Sequence, residues 1–70
     1  MATDRVEAVE RALGILGAFT AEQGALSLRE LAGATGLYKS TILRLCGSLE
    51  HFGYLRRDAD TGGFGWGRRS

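Results

Sequence analysis

The sequence predicts a mainly α fold, three helices closed by a small β-hairpin, and three observations predict it. Apolar residues recur at the three-to-four residue spacing of a helix face, once near the N-terminus and again beyond residue 38. Between these stripes, "LSLRELAGATGLYKST" holds a helix start, a glycine break and a second start in quick succession. Beyond residue 53 the pattern becomes strand-like around "DADTGG", a turn rich in Asp and Gly.

Seventy residues make one domain. A chain this short buries only about 60% of its unfolded surface, which leaves it thinly stabilised. Cys46 is the single cysteine, which rules out an internal disulfide and zinc sites built on several cysteines, and fits a reducing compartment. No apolar run approaches the roughly 18 residues of a membrane span, and "MATDRVEAVE" is too polar for a signal peptide, so a cytoplasmic protein is expected. The formal charge of +1 divides unevenly: residues 1–37 carry a net −2 and residues 38–70 a net +3. The basic half begins where the second stripe begins, as it would for a face that meets nucleic acid.

Helix 1 is expected over about residues 4–21, with Asp4 as its cap and Glu7 closing a capping box. Val6, Val9, Leu13, Leu16 and the nearby Phe19 form its apolar stripe, and Gly24 lies just past its end. Gly14 and Gly17 each lower its helix propensity by about 1 kcal/mol relative to Ala, and would permit close approach of another helix or a second protomer. Helix 2, about 27–34, starts at the S-x-x-E capping box of Ser27 and Glu30, with Leu26 and Leu31 at the two positions of a hydrophobic staple. Gly36 stands where the turn needs positive φ. Helix 3 restarts near Tyr38, carries Ile42, Leu45, Leu49 and Phe52 on its apolar side, and ends at Gly53. "YLRR" and "FGW" are then two short strands, the second weakened by Gly65 and Gly67.

A short helix, a glycine-containing turn and a second helix with a polar outer face make a helix-turn-helix, here about residues 27–52. Helices 1 and 2 hold helix 3 by its apolar side, leaving its N-terminal end free to enter a DNA major groove about 12 Å wide. Lys39 suits phosphate; the hydroxyls of Ser40 and Thr41 suit phosphate or base edges; Arg44 can reach guanine O6 and N7. Backbone N–H groups at the helix start add a further phosphate site. The hairpin, about 54–67, brings Arg56 and Arg57 beside helix 3, which makes the whole a winged helix-turn-helix. Ser27 and Arg29, at the start of helix 2, and Tyr38 complete the set of expected DNA contacts.

"VERALGILGAF", "LSLRELAGATGLYKSTILRLCGSLEHFGYLRRD" and "DTGGFGWG" resemble the N-terminal DNA-binding domain of IclR-type transcriptional regulators, from about Val6 to Gly67. The resemblance implies a winged helix-turn-helix that binds operator DNA in bacteria or archaea, as a repressor or an activator, usually as a dimer or a dimer of dimers. It places the positions of Lys39, Ser40, Thr41 and Arg44 on the recognition helix and those of Arg56 and Arg57 at the start of the wing. Three positions depart from the family pattern. Tyr38 stands where proline is usual in "GLPKST", Gly47 interrupts a more aliphatic run, and Gly65 replaces a longer side chain in the second wing strand. Family members continue into a larger C-terminal domain that binds a small effector and drives assembly, and that domain is absent from these residues.

Other functions fit less well. One histidine, one cysteine and scattered carboxylates supply no nucleophile–base pair, no cofactor motif and no metal-ligand spacing, so an enzyme is not expected. A protein-interaction winged helix is the alternative, but its helix 3 would be apolar or acidic outside, whereas this one is basic and hydroxylated. The aromatics do not form a stacking platform for RNA. His51 and Trp66 read as structural, Cys46 as a small core residue, and Arg68 and Arg69 as a tail adding non-specific attraction.

Overall fold

A computed structural model describes residues 4–19 and 24–67, in the order α1 (Glu7–Ala18), β1 (Ala25–Leu26), α2 (Leu28–Thr35), α3 (Lys39–His51), β2 (Leu55–Asp58) and β3 (Gly63–Trp66). Arg68 and Arg69 lie outside these residues, as does the stretch 20–23; α1 ends at Ala18 with the extended Phe19 as its C-cap, short of the end expected near residue 21. Every element contributes to one core: Ile15 and Phe19, Leu26, Leu31, Ile42 and Cys46, Leu55, and Phe64 are all buried. The fold is a winged helix, three helices against a small antiparallel sheet.

The start of α2 follows its sequence signature. Glu30 N–H donates to Ser27 Oγ at 3.1 Å, and Ser27 N–H donates to Glu30 Oε1 at 2.9 Å. Leu26 and Leu31, the staple pair, are both in the core. At the other end, Gly36 adopts φ 76° and its N–H donates to the Ala32 carbonyl at 2.9 Å. Thr35 Oγ1 donates to the Leu31 carbonyl at 2.7 Å and accepts from Leu37 N–H at 3.2 Å, so it ties α2 to the turn. Gly53, at φ 86°, follows the end of α3.

The first helix also differs from expectation in its cap and in its stripe. Its N-cap is Val6 with no side-chain cap, not Asp4; Glu7 pairs with Arg11 at 2.6 Å, and Arg5 pairs with Glu10. The expected stripe is also turned: Val6, Val9 and Leu13 are 60%, 53% and 59% exposed, while Ile15 and Phe19 enter the core. The helix carries two apolar faces about a third of a turn apart, with the half-buried Leu16 between them, and only one can face α2 and α3. In α3, Phe52 is exposed rather than part of the stripe, because the helix has ended at His51; Cys46 takes the buried place beside Ile42. Phe52 instead meets the His51 ring edge-on at 4.9 Å between centroids.

The weak second wing strand is corrected as well. β3 is the central strand of three, in the order β1-β3-β2, because Ala25 and Leu26 pair with Gly65 and Phe64. The glycines make that pairing possible. A Cβ on Gly63 would stand 1.9 Å from the Leu26 carbonyl oxygen, and one on Gly65 would stand 2.6 Å from the Gly24 carbonyl oxygen. Side chains there would push β1 off the sheet. Trp66 covers the edge of the core, with its ring 5.4 Å from that of Phe19.

Candidate nucleic-acid interface

The polar face of α3 is built by helical spacing. Ser40, Arg44 and Ser48 lie at i, i+4 and i+8 and are exposed, while Ile42 and Cys46 on the opposite side anchor the helix. Tyr38 is the N-cap, offers no capping side chain, and is 83% exposed, which leaves its ring free of the core. Its carbonyl accepts from Ile42 N–H at 3.0 Å, so the N–H groups of Lys39, Ser40 and Thr41 remain open at the positive end of the helix dipole. Such an end can receive an anion.

Charge at this face is uncompensated. Arg29, Lys39 and Arg44 are exposed and enter no ion pair among the described residues. Ser27 is less available, because its Oγ already accepts the α2 cap bond.

Arg56 and Arg57 point to opposite faces of β2, as adjacent strand residues must. The Arg56 guanidinium donates to the Trp66 carbonyl at 3.1 Å. Arg57 lies over the Phe64 ring, 5.0 Å from its centroid, and donates to Glu50 Oε1 of α3 at 3.3 Å. This exposed contact links the wing to α3. At the wing tip, Asp58 Oδ2 accepts from Thr61 N–H at 2.9 Å, and bonding from Thr61 holds its carboxyl below the usual carboxylate value. Burial pushes the Cys46 thiol up to about 11, as suits a core residue rather than a reactive one.

One basic residue near the site was not anticipated. A concavity of about 330 Å³ between α1 and α3 is lined by Ala8, Arg11, Thr41, Arg44, Leu45 and Ser48. It brings Arg11 beside the recognition helix; no local pattern marks this, since its neighbours there lie far along the chain.

A model of the IclR helix-turn-helix domain matches residues 8–59. The chain belongs to that family. A crystal structure of an IclR-family transcriptional regulator from Brucella abortus is 39% identical and superimposes with a TM-score of 0.82, covering 91% of this chain and 24% of that one. A second IclR-family structure, of a regulator from a Rhodococcus species, is 30% identical with a TM-score of 0.79, covering 97% of this chain and 27% of that one. The chain thus spans about a quarter of the length of these proteins. No curated protein matches it. Membership in the IclR helix-turn-helix family makes this a DNA-binding domain of the transcription-regulating kind, not an enzyme. Among the described residues, no helix is long and apolar enough to cross a membrane.

Proposed function

We propose that the chain reads double-stranded operator DNA sequence-specifically, with α3 in the major groove and the wing along the phosphate backbone. The observation that carries this reading is the outer face of α3, which combines an uncapped N-terminus with Lys39 and Arg44 that enter no ion pair among the described residues. Arg44 makes a two-pronged contact with guanine O6 and N7, and Ser40 and Thr41 serve base edges or phosphates through their hydroxyls. Lys39 and the open N–H groups bind phosphate, while Tyr38 lays its exposed ring at the groove edge. Arg57 follows the backbone from the face of the wing beside α3 and Arg56 from its other face, and Ser27 and Arg29 reach it from the start of α2. The exposed Arg57–Glu50 pair holds its partners weakly and yields readily to a phosphate.

The salt dependence of binding tests the phosphate contacts. With about four to six basic groups per protomer on phosphates, log K is expected to fall against log salt with a slope near −4 to −5. A slope near zero would contradict the model.

The working form in this proposal is a homodimer joined through α1. Val6, Val9 and Leu13 form an exposed apolar line, and among the described residues nothing beyond the flanking residues and the helix's own backbone comes within 4 Å of a Cβ built on Gly14 or Gly17, which leaves room for a second copy. Leu13→Glu is expected to turn a dimer into a monomer in sedimentation without lowering Tm by more than a few degrees, because the side chain is outside the core. A wild-type chain that sediments as a monomer on a single half-site would remove the dimer. The matched regulators are about four times as long; in this proposal any effector acts outside the helix-turn-helix domain, and regulation takes place on the nucleoid in the cytoplasm.

A further inference from the structure

The polar concavity beside α3 extends the interface onto a helix that the helix-turn-helix itself does not include. Thr41, Arg44 and Ser48 recur at i, i+3 and i+7, which puts them on one flank of α3, facing Arg11 of α1 across the concavity. Glu50 lies on the other flank, where it holds Arg57 of β2. A cation-bearing element therefore stands on each side of the recognition helix. A helix about 10–12 Å across fills a groove about 12 Å wide, so its two flanks meet the two phosphate walls. Arg57 is placed for one wall and Arg11 for the other.

Resting on the DNA-binding reading above, we propose that Arg11 is a phosphate contact on α1, exchanging Glu7 for the DNA backbone when the complex forms. In the free protein Arg11 donates to Glu7 Oε2 at 2.6 Å, and the side chains are 45% and 75% exposed. An exposed pair of this kind is weakly held. A phosphate offers the guanidinium a stronger, two-pronged partner. Glu7 then remains as a like charge near the phosphate, which limits affinity and makes the exchange visible in both residues.

The test is titration of a labelled mixed-sequence duplex with the chain and its variants over a range of salt, with a thermal melt of each variant. Arg11→Gln is expected to weaken binding severalfold on every duplex and to reduce the magnitude of the salt slope by about 0.9. Arg11→Lys keeps the slope, and Glu7→Gln tightens binding. Opposite signs at the two positions distinguish the exchange from an ion pair that only supports the fold, because there both substitutions weaken binding together. Wild-type affinity and slope in Arg11→Gln, with binding still weakened in Lys39→Gln, would overturn the proposal and leave the DNA-binding reading standing. No binding by the wild-type chain at low salt would overturn both.

Discussion

Replacing Arg44 with alanine is expected to cost about 1–3 kcal/mol on the cognate site and to flatten base preference at one position. The side chain is exposed, enters no ion pair among the described residues, and lies one turn beyond the open N-terminus of α3. Its planar fork matches the two acceptors of guanine, which the ammonium of lysine cannot do with the same geometry. Arg44→Lys should therefore keep most of the salt dependence while losing the preference. The measurement is a competition titration against duplexes that vary at single positions. Equal weakening on every sequence would make Arg44 a phosphate contact instead.

Replacing Phe64 with alanine is expected to remove about 3–5 kcal/mol of stability. A domain of this size has roughly 0.05–0.15 kcal/mol per residue in total, so the variant should lose its cooperative melt or show it far below wild type. Phe64 is fully buried in the central strand, opposite Leu26 of β1 and Arg57 of β2. It also supports the Arg57 guanidinium from below, so the wing should lose its fixed relation to α3. A loss under about 1 kcal/mol in chemical denaturation would contradict this central place in the core.

What could be foreseen from sequence was local. The Ser27–Glu30 box, the staple leucines and Gly36 each act within a few residues, and each is present where its spacing put it. The polar face of α3 was legible for the same reason, since helical period alone separates Ser40, Arg44 and Ser48 from Ile42. Features set by distant partners were not. The two-residue β1 has no period to detect, and the glycines at 63 and 65 look like strand breakers until Leu26 and Gly24 are brought against them. In α1 two apolar faces compete, and only packing against α2 and α3 selects Ile15 and Phe19 over Val9 and Leu13. Asp4 had the right chemistry for a cap, yet Val6 occupies that position and Glu7 is paired with Arg11. Arg11 sat in the acidic half of the sequence, and only the fold carries it to the side of the recognition helix.

Selection of random duplex DNA by the purified chain, read at two salt concentrations, tests the central claim most directly. Sequence-specific reading by α3 predicts an enriched motif whose retention weakens at the higher salt, and dimerisation through α1 adds that the motif is palindromic. Retention without any enriched motif, or no retention even at low salt, would contradict it.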